Sequence, residues 1–529
     1  MHSIRYLLTC WLGVFVVLSS LSARAQTASE EIRASAEALG GVERILAIRN
    51  ITLTGYGQWA YQYGGGNITG DPNAPQKWGA ANDLRRVYDL QNDRYQLFER
   101  RNYLFPFAGT RGHAFTPTNQ ILDGEVAYNV LPDGTATRVG DTGGQGSQRA
   151  DGPRHRRLWM LSNPVTAIRA ALSPETSLGA TSVEDGSTLI PIVTAEGYKL
   201  TIGIDPASDL PRFVRWINPQ DNMGQLTYTV HFTGYVPVDG LLLPLGYNTV
   251  LDWRDIDFMK IYVDAYEIDG DIEDLSAPAE VAAAPEPVVE PPIVEATPVV
   301  EGVWRLSTGT TVFEFSDHLT LYEVYGNQLQ TDATIEFANR LVPGKPVTEA
   351  IVSHHHSDHS GGFRAAVAAG LTIISRRANE GILREWAERR APDFPDFLER
   401  NWQEMKFLPV DEHLRLADDE MVVDLYWARN NIHTADLVLA HLPEHRVIVE
   451  ADIATAAEDY QWWADNLWDI IEHYDLDVDL LSPVHQYIMT ADEVRAFVNG
   501  GVQRARQRCA EELAKGNYFP GCPVQSERF

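Results

Sequence analysis

Four residues whose side chains bind metals fall within six positions: His354, His356, Asp358 and His359, in the run VTEAIVSHHHSDHSGGF at 347–363. Neutral imidazoles and a carboxylate suit Zn²⁺, which also tolerates an open position for water, and the same donors accept Fe or Mn. Such a cluster cannot lie on one face of a helix. A loop leaving a strand can splay it, and EAIVS reads as that strand, with Gly361 and Gly362 opening the helix that follows. The histidines two apart then project to one side, toward one ion. The Asp-His pair turns toward a second ion close by. His355, between ligands, is expected to point away.

The elements around this loop read as an α/β layered domain over 301–529. Strand-like runs (TTVFEF, LTLYEVY, EAIVS, LTIIS, MVVDLYWA, LVLAHL, RVIVEA) alternate with helical patterns at Gln328 to Leu341, Gly361 to Ala369, Arg377 to Arg390 and Ala491 to Lys515. The block 26–276 reads differently. Short aromatic and β-branched runs separated by YGGGN, LPDGT, NPQDN and VDG predict a large, mainly antiparallel sheet. Helical spacing predicts helices at Ala28 to Ile48 and Arg157 to Leu172. Between the blocks, 277–300 has six prolines and four glutamates, and is expected to be an extended polyproline-type spacer.

The first 25 residues read as a signal peptide. Arg5 supplies the positive start, Leu7 to Leu21 the apolar stretch, and Ala23-Arg24-Ala25 the cleavage pattern before Gln26. Export to a bacterial periplasm, without a stable membrane anchor, is the expectation. In that compartment Cys509 and Cys522 would close a small loop. The net charge of -30 disfavours nucleic acid as a partner. His113, His155 and His231 lack ligand spacing and read as ordinary histidines. The arginines 154, 156 and 157 read as a solvated helix start.

The stretch SHHHSDHSGG resembles the H-x-H-x-D-H-x-G-G signature of the metallo-β-lactamase superfamily, over roughly residues 301–515. The resemblance implies an αββα sandwich, with two facing sheets, helices outside and metals at one edge. It also implies three further ligands at later strand ends. His433 in NNIHTADLVLA would join His354 and His356 on the first ion. His485 in LLSPVHQ would join Asp358 and His359 on the second. Asp452 in RVIVEAD would bridge the two. Glu450 is the other carboxylate at that strand end, but strand parity and end position favour Asp452. His318, His413, His441, His445 and His473 read as structural.

Two Zn²⁺ per chain would bring a bridging water toward neutral pKa, and the hydroxide would attack an electrophilic centre. Asp358 would orient that nucleophile or take its proton. The expected function is an exported metallo-hydrolase of an ester, lactone, thioester or β-lactam, acting on a small molecule. A phosphodiester or alkyl sulfate hydrolase, or a non-catalytic periplasmic binding factor, are the alternatives. Tyr460, Trp462, Trp463 and Trp468 could line a pocket for an apolar or cyclic substrate, or simply pack a helix. Residues 384–402 read as an outer helix and loop rather than a lid.

Overall fold

The computed structural model describes residues 27–103, 116–141, 152–454 and 465–515. The signal-peptide segment, His113, Tyr460, Trp462, Trp463 and Cys522 lie outside the described residues. Cys509 is buried and disulfide-bonded. Among the described residues no helix is long and apolar enough to cross a membrane.

The amino-terminal lobe is built on a 14-stranded sheet, antiparallel throughout. Strand Asn50–Ala60 lies at its middle, paired on one side with Trp78–Asp89 and on the other with Ile256–Ile268. Most other strands pair with their neighbours in the chain, so the sheet is two meanders joined at that strand. Antiparallel neighbours need only tight turns, and Asp93, Asp185, Asp209 and Asp239 supply left-handed positions there.

The two helical segments predicted here are each broken. Helix Ala28–Leu39 starts on a Thr27/Glu30 capping box and stops at Gly40, φ 138°; Val42–Ala47 follows. A Cβ at Gly40 would lie 2.5 Å from the Gly240 carbonyl oxygen, so the chain must turn there. Pro153–Leu161 and Pro164–Leu172 are separated at Asn163, whose side chain accepts from the Val165 N–H at 2.9 Å. Pro164 cannot continue the first helix but suits the first turn of the second.

The arginine cluster is not a solvated helix start. Arg156 is fully buried and donates to the carbonyls of Ile121 (2.7 Å) and Tyr128 (2.6 Å) and to Asn129 Oδ1 (2.5 Å). Arg157 is buried against Asp93 and the Gly124 carbonyl. The helix is buried on nearly all sides, Leu158 and Trp159 packing in the core while guanidinium groups satisfy sheet and turn carbonyls. Arg156→Ala is expected to destabilise the fold by roughly 2–4 kcal/mol in denaturant unfolding, because it orphans two buried carbonyls and the partly buried Asn129 side chain. Neighbouring His155 is an ordinary core histidine, its pKa pushed down to about 3 by burial.

The segment 277–300 departs from the expected extended spacer at both ends. Pro278 precedes a helical turn, Ala279–Ala283, because no proline interrupts AEVAA; Val281 buries against Val87, Ile121 and Tyr128. Ala296–Val300 is an edge strand on Val303–Leu306. Pro298 is tolerated there because an edge strand has one unpaired side.

The carboxy-terminal lobe has two sheets. A 7-stranded sheet runs from Ala296–Val300 through Leu319–Tyr322, Val347–Ile351 and Thr372–Arg376 to Lys406–Val410, its last four strands parallel. A 6-stranded sheet contains Val422–Trp427, Val438–Leu442, Val447–Glu450 and Leu480–Pro483. One face of each meets the other: Phe313, Tyr322 and Ile351 from the first pack with Val423, Leu425, Val438 and Val449 from the second.

Alternate residues carry the opposite faces. Leu321, Ala350 and Ile373 meet helices Gln328–Leu341, Phe363–Ala368 and Glu380–Glu388, in an apolar core that continues into the amino-terminal lobe. Ile448 and Leu481 meet Asn466–Tyr474 and Ala491–Ala514. Such two-sided burial explains why these strands read as continuous apolar runs. Residues 384–402 form an outer helix and loop held to the amino-terminal lobe. Arg389 pairs with Asp252, and Glu385 accepts from Trp253 and Arg254.

Candidate metal centre

The strand Val347–Ile351 sits inside the parallel part of its sheet, and the chain leaves its end through Val352 and Ser353 into the four-residue helix Ser357–Ser360. Gly361 and Gly362 are needed for close approach. A Cβ at Gly361 would lie 2.0 Å from the Gly326 carbonyl oxygen, and one at Gly362 1.7 Å from Thr331 Oγ1. Gly362→Ala is therefore expected to displace the ligand loop, costing about 1–3 kcal/mol and weakening metal uptake. Thermal unfolding and metal analysis of that variant check this.

The remaining donors leave other strand ends. His433 follows Val422–Trp427 in a turn where Asn431 Oδ1 accepts from its N–H at 2.8 Å. Asp452 follows Val447–Glu450 with φ 58°, a left-handed conformation that aspartate tolerates. Glu450 shapes this turn: its Oε2 accepts from the N–H of Ile453 at 2.8 Å. Glu450 thus aims Asp452 and belongs to neither donor group. Its carboxyl is pushed up to about 7, chiefly by burial. His485 follows Leu480–Pro483, which runs parallel to Val447–Glu450 with Pro483 opposite Glu450.

The seven side chains converge in two groups: His354, His356, His433 and Asp452, and Asp358, His359, His485 and Asp452. Asp452 Oδ2 lies 2.9 Å from His433 Nε2, 3.1 Å from His359 Nε2 and 3.8 Å from His354 Nε2. Its Oδ1 lies 3.0 Å from His485 Nε2. His356 Nδ1 is 3.1 Å from His433 Nε2, and His359 Nε2 is 3.1 Å from His485 Nε2. Asp358 Oδ2 is 3.5 and 3.7 Å from the Nε2 atoms of His359 and His485.

These residues fit metal ions. Tetrahedral ligands at about 2.0–2.1 Å from Zn²⁺ lie about 3.3 Å from one another, close to the separations here. His354 Nε2 is buried without a hydrogen-bond partner while its Nδ1 meets Ser353 Oγ at 2.9 Å, the arrangement of a nitrogen reserved for a cation. Burial holds His354 and His356 well below the ordinary histidine pKa, and neighbouring imidazoles push the same way. Both present neutral nitrogens. For His359 burial opposes the charge, but Asp358, Asp452 and Glu323 outweigh it and raise its pKa. His485 is raised too, Asp452 outweighing burial.

Partners that sequence spacing does not reveal surround the ligands. Glu323, fully buried at φ 87°, places Oε2 3.4 Å from His359 Nδ1. Tyr325 stands edge-on to His359 and His485. More distant in the chain, the loop 61–77 of the amino-terminal lobe covers the first group. The Asn67 carbonyl lies 3.2 Å from His356 Nε2 and 3.0 Å from His355 Nε2. A carbonyl only accepts, so His356 carries its proton on Nε2 and turns Nδ1 toward His433. Lys77 Nζ donates to the His433 carbonyl at 2.9 Å, and its pKa is lowered to about 7 by burial. The YGGGN segment read only as a turn, and nothing in its composition links it to residues some 290 positions away.

Other histidines among the described residues belong to neither group. His355 faces Asn67, His318 stacks on Phe315, His413 pairs with Asp424, and His441 meets the Asp477 carbonyl. Trp468 packs among the outer helices with Arg495 over its ring.

No protein-family model and no curated protein sequence matches the chain. Solved structures similar to parts of it include a metallo-β-lactamase from Pontibacter korlensis, at 14% identity, covering 39% of this chain and 98% of that one, TM-score 0.30. A metallo-β-lactamase from Hirschia baltica is similar at 15% identity, covering 39% and 96%, TM-score 0.30. A stereoselective inverting sec-alkylsulfatase from a Pseudomonas species is similar at 19% identity, covering 45% and 46%, TM-score 0.31.

Proposed function

We propose that the protein is a metal-dependent hydrolase of the metallo-β-lactamase type, holding two Zn²⁺ and cleaving an ester, lactone, thioester or β-lactam in a small-molecule substrate outside the cytoplasm. The observation that carries this reading is the pair of donor groups sharing Asp452. His354, His356 and His433 would hold one ion, Asp358, His359 and His485 the other, and Asp452 both. When bound, two such ions supply Lewis acidity and an acidified water.

The protein's own residues set where that chemistry is accessible. The first group is buried, whereas the side chains of Asp358 and His485 are 41% and 26% exposed. Substrate therefore reaches the centre past these two residues and Tyr325. Asp358, the exposed carboxylate at that opening, would orient the attacking group. Glu323 and Ser353 fix the ring orientation of His359 and His354, and the Asn67 carbonyl fixes that of His356. The signal-peptide pattern supports a periplasmic location as part of the same proposal.

The test is metal analysis of the mature chain beside turnover of a lactone, a β-lactam, an aryl ester and a bis-aryl phosphodiester. About two ions per chain with hydrolysis of one of the first three is the expected result. Turnover of the phosphodiester alone would move the activity to that class. A metal-replete preparation that binds no ion would overturn the reading.

A further inference from the structure

We propose that the amino-terminal lobe is a working part of the metal centre, with Gln62 as a positioning residue for Asp358. The inference rests on the metallo-hydrolase reading and adds to it a residue from outside the two facing sheets.

Gln62 lies in the short turn Tyr61–Gly64 that ends the central strand Asn50–Ala60. It is 8% exposed, and both ends of its amide are engaged. Oε1 accepts from the Ser357 N–H at 2.9 Å, and Nε2 donates to Asp358 Oδ1 at 3.3 Å. A backbone N–H only donates, so the amide orientation is settled by its partners. No other uncharged side chain of this reach both accepts and donates in a fixed fork.

The effect falls on an exposed group. Asp358 is the most exposed of the donor side chains, at the opening of the centre. With Oδ1 held by Gln62, Oδ2 is the oxygen that faces His359 and His485. Gln62 thus sets which carboxylate oxygen would meet the second ion, without itself touching a reacting atom.

The backbone shows that this contact is imposed. Gln62 and Tyr63 both have left-handed conformations, φ 48° and 56°, which non-glycine residues adopt at a cost. The loop is clamped in that shape beyond the turn. Asn67 Oδ1 accepts from the Lys77 N–H at 3.1 Å, and the Ile68 carbonyl accepts from Ala435 N–H at 2.8 Å and Thr434 Oγ1 at 3.2 Å. A strained turn held against the ligand loop from both sides is the structure expected of a built part of the site.

Two variants separate positioning from packing. Gln62→Met keeps the volume and removes both hydrogen bonds. Gln62→Glu keeps the acceptor for Ser357 but sets a carboxylate against Asp358. Stepwise Zn²⁺ affinities by chelator competition, and the visible spectrum of the Co²⁺-substituted chain, are the readouts. Weakening of the second ion by about 10–100-fold is expected in Gln62→Met and an altered second-ion affinity in Gln62→Glu, with a changed Co²⁺ spectrum in both and little change at the first ion. Wild-type second-ion affinity in Gln62→Glu would overturn the inference, showing that Gln62 only anchors the Ser357 backbone. That variant decides the matter alone if Gln62→Met fails to fold. A wild-type chain without metal would overturn the metallo-hydrolase reading and this inference together. Two ions in the wild type and unaltered ions in both variants would overturn this inference only.

Discussion

Asp452→Ala is expected to lose both ions and to lower kcat/KM by more than about 100-fold. Changes to groups that merely orient a ligand cost about 10–100-fold in affinity or activity, and Asp452 is a member of both donor groups. Its two oxygens lie within 3.1 Å of nitrogens of His433, His359 and His485. Burial opposes its charge, but His359, His485 and His433 outweigh this and hold the carboxyl well below its usual range. It remains an anion ready for metal. Without it, the remaining donors carry too little negative charge to hold two dications at close range. Glu450→Gln is the control, because an amide oxygen can still accept from the Ile453 N–H. Metal analysis after dialysis and steady-state kinetics distinguish the two. An Asp452→Ala chain that keeps two ions, beside a Glu450→Gln chain that loses one, would move the bridge to Glu450.

The second large effect is a difference in pH dependence between the two ions. Metal binding requires deprotonated ligands, so each proton displaced costs about tenfold in affinity per pH unit below the ligand's pKa. His354 and His356 are held neutral by burial and carry no proton to displace. His359 and His485 are raised because nearby carboxylates outweigh burial. Affinity at the second group should therefore fall by about 10- to 100-fold per unit as pH drops, corresponding to one or two protons, while the first group changes less. Titrations with Zn²⁺ across pH, with calorimetric proton counts in two buffers, check this. Equal slopes for the two ions would contradict it.

The same shifts act on the metal-free chain in the opposite sense. A histidine raised in the folded state contributes stability that is complete below its unfolded pKa, near 6.5, and is lost as pH rises through the folded value. The chelated protein should accordingly lose stability on moving to alkaline pH, and metal should restore it.

Much of the centre was legible because local chemistry constrained it. His354, His356, Asp358 and His359 lie within six residues, and no ordinary surface loop needs that composition followed by two glycines. The glycines have a steric cause in the close approach of Gly326 and Thr331. Helix Gln328–Leu341 and the alternating strands followed from hydrophobic periodicity, which burial on one or both faces imposes directly. The errors were equally local in origin. Apolar spacing runs on through Gly40 and Asn163, where backbone geometry ends the helices. Proline content concealed the helical turn Ala279–Ala283, and charge made Arg156 look solvated.

Only the tertiary structure could decide how distant donors meet. His433, Asp452 and His485 reach the first four ligands because strand pairing stacks their strand ends at one edge, with Glu450 opposite Pro483. That register depends on hydrogen bonds between segments whose separation in the chain carries no trace of it. The same holds for Gln62, Asn67 and Lys77, brought to the ligand loop by a turn in another sheet, and for Glu323 behind His359. Residue types and short spacings determined the chemistry this chain can host. Long-range packing determined how the distant donors meet, which imidazoles carry protons, and which side of the centre is open.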